Sequence, residues 1–163
     1  GYQPYSSWNI MHPIVPLNLP KTELQIKKKG EQLFVNCLIR KKSIILTPEE
    51  WVRQHFIAFF INDLNYPKGL ISVEKQIKYG DLDKRWDLAV FKTDQNCFLL
   101  MECKAPEIKI TKSVFEQSLL YYKQLQSDYL IMSNGLDHVV LKKNKTSNQF
   151  EQIDFFPDYI SSE

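Results

Sequence analysis

The sequence predicts an α/β (α+β) fold, a central mixed β-sheet flanked by helices with an N-terminal β-hairpin extension. Three observations predict it. Short apolar or alternating runs recur between turn residues, two segments carry a helical stripe, and the order is strand pair, helix, three-strand meander, helix, strands. At 163 residues the chain suits one domain with a sizeable core. No repeat, low-complexity tract or linker divides it. Residues 22–156 are therefore expected to form one domain between an extended arm (1–21) and a polar tail (157–163).

Pro4, Pro13, Pro16 and Pro20 keep the arm extended. Residues 24–28 and 32–39 read as two strands around a turn at Lys29 and Gly30, and Ile44, Ile45 and Leu46 extend that region. A helix start follows: Thr47 can cap, Pro48 fits the first turn, and Glu49 and Glu50 suit the positive dipole end. Trp51, His55, Ile57, Ala58, Ile61 and Leu64 carry its stripe, which stops before Pro67 and Gly69. Residues 70–79 alternate as a half-exposed strand up to a turn at Gly80 and Asp81. Runs around Trp86 and from Cys97 onward make two more strands, with residues 93–96 as the turn between them. A second amphipathic helix is expected over 111–126, with Val114, Phe115, Ser118, Leu119, Tyr122 and Leu125 on one stripe. Strands at 128–133 and 138–142 flank an Asn134-Gly135 turn, and 150–155 add an edge strand.

Composition excludes several classes. The hydrophobic share of 44% is ordinary for a globular chain, and no apolar run is long enough to span a membrane. No signal peptide is apparent, and Cys37, Cys97 and Cys103 fit neither a disulfide framework nor a zinc site, so reduced core cysteines and a cytoplasmic location are expected. His12, His55 and His138 have no metal spacing, and Trp8, Trp51 and Trp86 read as buried aromatics before base-stacking ones. A net charge of +2 does not by itself announce a nucleic-acid binder. Local basic clusters at Lys27–Lys29, Arg40–Lys42 and Lys142, Lys143 and Lys145 are solvated turns or phosphate contacts.

Charge is out of place in the two strands 85–91 and 98–104. Glu102 and Lys104 share a strand face, their Cα atoms about 7 Å apart, while Leu99, Met101 and Cys103 take the other. Asp87 shares a face with Arg85, leaving Trp86 and Leu88 to pack on the opposite one. Pairing these strands as a hairpin would bring the acids together near Lys104. Two carboxylates and a backbone carbonyl suit Mg²⁺, which keeps several waters and can polarise a phosphodiester. Lys104 would then orient a water or neutralise charge on phosphorus. The plainer reading is a half-exposed Glu102–Lys104 ion pair of little energetic worth.

Asp87 followed by Glu102-Cys103-Lys104 matches the Asp…Glu-x-Lys signature of the PD-(D/E)xK nuclease superfamily. The run Thr47 to Gln54, Lys84-Arg85-Trp86-Asp87, Met101 to Pro106, Gln117 with Tyr121, and Ser133-Asn134-Gly135 together resemble the N-terminal nuclease domain of type I restriction enzyme R proteins, across most of 22–155. The resemblance implies a restriction-endonuclease-like fold and a metal-dependent DNA endonuclease. It implies that Asp87, Glu102 and the Cys103 carbonyl bind Mg²⁺ (or Mn²⁺ in its place), that Lys104 is catalytic, and that Glu50 joins the site from the first helix. Gln117 and Tyr121, four apart on one helix face, would help hold substrate or the lysine, or be a surface Gln beside a core Tyr. Arg53, Arg85 and Lys84 are candidate DNA contacts, with pairing of the arginines to Glu49, Glu50 or Asp87 an equal reading. The sequence holds no Gly-x-x-x-x-Gly-Lys-Ser/Thr loop, so no helicase motor is expected in it. The rival expectation is a non-catalytic nucleic-acid-binding or scaffolding module on the same fold. One site cuts one strand, so double-strand cleavage would require a homodimer, partner subunits or two visits.

Overall fold

Thr47 accepts the Glu50 N–H at 3.0 Å, and with Pro48 in the first turn it starts the helix that organises the molecule. The computed structural model describes residues 14–122 and 124–159, apart from the Tyr121 side chain. The first thirteen residues of the expected arm, with Trp8 and His12, and the last four of the tail lie outside the described residues.

Strands β1 (Ile26–Lys29), β2 (Gln32–Asn36) and β3 (Ser43–Ile45) form a small antiparallel sheet in that order. The expected hairpin extension therefore gains a third strand. β2 ends at Asn36, not at residue 39, because the next residues fold into a turn. Cys37 N–H bonds Lys42 O, Lys41 N–H bonds Cys37 O, and Lys41 takes φ +56°. Leu24, Leu33, Val35 and Leu46 pack with Trp51, whose indole N–H donates to Val15 O at 2.8 Å.

Helix α1 (Pro48–Asn62) is buried on almost every side, from Glu50 through Ala58 and again at Phe60. It lies between two layers: Trp51 meets the small sheet, while Val52, Phe56, Ile57 and Phe60 enter the main core. That double burial explains why no single apolar stripe dominates it. The helix stops at Asn62, short of Leu64, because Asp63 caps it and Asn65 adopts φ +58°.

The main sheet contains β4 (Ile71–Tyr79), β5 (Leu82–Phe91), β6 (Cys97–Cys103), β7 (Ser127–Ser133), β8 (His138–Lys143) and β9 (Phe150–Ile153), ordered as in the chain. All neighbours are antiparallel except β6 and β7, which run parallel and are joined across α2 (Lys112–Tyr121). This is the expected mixed sheet, with α1 packing on one face and α2 on the other. β6, near the middle, carries Leu99, Met101 and Cys103 toward α1 and Leu100 toward α2.

β9 ends at Ile153, short of the expected residue 155, and two further expectations need correction. Trp86 and Leu88 do not share a packing face: Trp86 joins the α2-side core and Leu88 the α1-side core. The exchange happens where Glu74, opposite Asp87, takes φ +55° and the β4–β5 ladder skips one pair between Val73–Leu88 and Lys75–Trp86. The second helix also ends earlier than residue 126. Tyr122 closes its last turn through the Ser118 carbonyl, and Leu125 N–H then bonds Tyr122 O. This turn buries both Tyr122 and Leu125 beneath the sheet before β7 begins.

Candidate active site

The polar site forms at the end of β6, where the β5–β6 ladder opens. Leu88–Met101, Ala89–Leu100 and Val90–Leu99 pair in register. Continuing that register would set Asp87 against Glu102. Instead the Asp87 side chain turns into the ladder, and its Oδ2 accepts the Cys103 N–H at 2.6 Å. β6 is held from its other edge by β7, where Glu102 pairs with Met132 and Cys103 with Ser133, and Lys104 N–H donates to Ser133 O at 2.8 Å. The acids are thus fixed by backbone on both sides.

Glu102 is clasped by two cations. Lys104 Nζ lies 2.5 Å from its Oε2 and Lys84 Nζ 2.8 Å from its Oε1. The Tyr122 hydroxyl adds a hydrogen bond to Oε1 at 3.3 Å, and Lys84 also stands 5.1 Å above the Trp86 ring. Burial would raise the Glu102 pKa, but the bonds from Lys104 and Lys84 outweigh it and the carboxyl is held below its ordinary value. Asp87 is the opposite case. Burial pushes its pKa up, the Cys103 N–H and Arg53 oppose that rise, and the Glu102 charge adds to it. Asp87 is the under-compensated acid of the pair.

That asymmetry sets a pH prediction. An acid whose folded pKa is raised binds its proton more tightly in the folded state, so stability falls as pH rises from its unfolded to its folded pKa. Asp87→Asn, which still accepts the Cys103 N–H, is expected to match or exceed wild-type stability at neutral pH. Thermal melts across pH 4–8 should show the advantage shrinking toward the acid end. Glu102 has the reverse sign, contributing above its unfolded pKa and losing that contribution as pH falls through its depressed folded pKa.

Glu50 approaches the same region from α1, buried and bonded to Arg53 Nε at 3.0 Å, to Arg53 Nη2, and to Gln54 Nε2 at 2.8 Å. Arg53 is near enough to Asp87 to oppose the rise in its pKa, and the Cys103 thiol, pushed up chiefly by burial and by Asp87, is raised further by Glu50. Of the two readings for Arg53, the structure thus supplies the pairing with an acid. Arg85, exposed on β5, pairs with Glu74 Oε2 on β4 at 2.9 Å and not with the expected Glu49, Glu50 or Asp87. Gln117 sits on the exposed side of α2, and the Tyr121 side chain lies outside the described residues. Among the described residues the aromatic hydroxyl that reaches Glu102 is that of Tyr122, which the apolar stripe of the second helix had already marked as inward. Glu74 was missed and Arg40 was marked only as part of a basic cluster; their ion pair joins residues far apart in sequence.

The remaining candidates are structural. His55 Nδ1 lies 2.8 Å from Trp51 O, and His138 bridges Ser133 Oγ and Asn18 O. Cys37 and Cys103 are buried free thiols and Trp51 and Trp86 are buried, as expected. No helix among the described residues is long and apolar enough to cross a membrane.

The family model described as type I restriction enzyme R protein N terminus matches residues 48–157, from the first turn of α1 to just past β9. The chain belongs to this family. No curated protein matches it. The matched stretch of the R-protein N-terminal domain contains α1, the whole main sheet and α2, hence every residue of the site, while the small sheet precedes it.

The donor chemistry suits a hard divalent cation. Asp87 is a half-buried carboxylate whose pKa burial pushes up, and the Glu102 charge adds to that rise. Among the described residues no group of three or more His, Cys, Asp and Glu side chains is gathered for metal binding. Asp87, Glu102 and the Cys103 carbonyl would therefore have to share an ion with water, the habit of Mg²⁺. The ion would compete with Lys84 and Lys104 for Glu102.

Proposed function

We propose that this R-protein N-terminal domain is a metal-dependent nuclease that hydrolyses phosphodiester bonds within DNA. The observation that supports this best is the Asp87 carboxylate seated on the Cys103 N–H at the end of β6, with Glu102 just before Cys103 and Lys104 just after it. Asp87 and Glu102 would hold Mg²⁺ or Mn²⁺ with the Cys103 carbonyl; when bound, the ion supplies charge that polarises the phosphodiester. Lys104 places an ammonium beside the scissile phosphate, where it holds the attacking water and offsets charge growing on the phosphoryl oxygens. A bond forms between the water oxygen and phosphorus as one phosphorus–oxygen ester bond breaks. Glu50 holds Arg53 against the site, and Lys84 and Arg85 serve the DNA backbone.

One observation favours the rival reading of a binding or scaffolding module. Both Glu102 oxygens already carry ammonium partners, which is enough to keep a half-buried acid satisfied. Calorimetric Mn²⁺ titration separates the two. The nuclease reading expects saturable binding that Asp87→Asn and Glu102→Gln each weaken at least tenfold, about 1.4 kcal/mol. Absence of binding by the folded wild type supports the module.

A further inference from the structure

Three arginines from three different elements converge on one carboxylate. Arg40 in the β2–β3 turn bonds Glu74 Oε2, Arg85 on β5 reaches the same oxygen at 2.9 Å, and Arg53 on α1 stands 3.8 Å from Oε1. Glu50 already balances Arg53. Arg40 and Arg85 are left to share the single charge of Glu74. The cluster is accessible: side-chain exposure is 28% at Arg40, 31% at Glu74 and 62% at Arg85, against 9% at Arg53.

Its position matters as much as its charge. Glu74 occupies the β4 place opposite Asp87, where the ladder skips a pair. Its backbone is left-handed at φ +55°, which a glutamate in mid-strand rarely adopts. The chain accepts this conformation where it brings one carboxylate under the guanidiniums. Guanidinium forks suit a phosphate's oxygens as well as a carboxylate's. An internal structural clasp has no need to keep Arg85 so open to solvent.

We propose that Glu74 is a built-in stand-in for a nucleic-acid phosphate: Arg40 and Arg85 form a backbone clamp beside Asp87, and Glu74 holds it set and screened until a DNA phosphate displaces its carboxylate. The idea rests on reading Asp87, Glu102 and Lys104 as a phosphodiester site. It adds Arg40 as a contact and Glu74 as an internal competitor.

The test is fluorescence anisotropy with a short fluorescein-labelled DNA duplex, in chelator so that no cleavage intrudes, over a range of salt. Glu74→Gln is expected to bind roughly tenfold more tightly at low salt. Its log Kd against log salt should steepen by about one phosphate contact. Arg85→Ala and Arg40→Ala should each weaken binding and flatten that slope, and Arg85→Ala should remove the gain of Glu74→Gln. The proposal is overturned if Glu74→Gln binds no more tightly than wild type, including no measurable binding by either. If Glu74→Gln does not fold, the two arginine variants decide: weaker binding supports the clamp, and unchanged binding and slope in both overturns it. A wild type that never cleaves DNA, alongside a tighter-binding Glu74→Gln, would retain the clamp and discard the nuclease. An active wild type with an unresponsive Glu74→Gln would do the reverse.

Discussion

Replacing Arg53 with methionine is expected to cost about 3–5 kcal/mol of folding stability. Glu50 and Arg53 are both almost fully buried in α1, and Arg53 supplies the positive charge that faces the Glu50 carboxylate there. Methionine keeps much of the volume but leaves Glu50 with the neutral Gln54 amide as its remaining side-chain partner. A buried acid stripped of its cation carries the desolvation cost uncompensated. For a chain of this size the loss lowers Tm by roughly 6–20 °C, readable by calorimetry or urea denaturation at neutral pH. Adding Glu50→Gln to Arg53→Met should restore most of it. The substitution reaches the site too, since Arg53 is one of the charges that restrain the pKa of Asp87.

Lys104→Ala is expected to lower the single-turnover rate of metal-dependent plasmid cleavage by about 10²–10³-fold, the effect of removing one preorganised charge from a transition state. Folding should hardly change. Lys104 is 38% exposed, and a half-exposed ion pair contributes at most ~1 kcal/mol. Lys84 and the Tyr122 hydroxyl remain on Glu102, so the acid does not become an unpaired buried charge. A variant that melts with wild type yet cuts far more slowly separates the chemistry of Lys104 from its structural worth.

The sheet, the first helix and the polar trio were legible because each rests on local pattern. Thr47 and Pro48 announce a helix start within four residues, and β4 through β6 show strand periodicity between clear turns. Asp87, Glu102 and Lys104 stood out because charge in apolar strands demands a partner. What was not legible is set by tertiary geometry. Alternation placed Trp86 and Leu88 on one face, yet they enter different cores on either side of Asp87, where the β4–β5 ladder skips a pair opposite the left-handed Glu74. The apolar rhythm of the second helix runs on through Leu125, yet Tyr122 turns the chain and brings its hydroxyl to Glu102. The Glu74 cluster draws on Arg40, Arg53 and Arg85, whose separation in sequence conceals it.

The most direct measurement is a time course of supercoiled plasmid and single-stranded circular DNA with the purified wild type, in Mg²⁺ and in excess chelator, beside Asp87→Asn. The account predicts nicked or linear product in Mg²⁺ with wild type, and none in chelator or with the folded Asp87→Asn. Cleavage that persists in chelator or in Asp87→Asn at the wild-type rate would contradict it, as would a folded, Mn²⁺-binding wild type that cuts neither substrate.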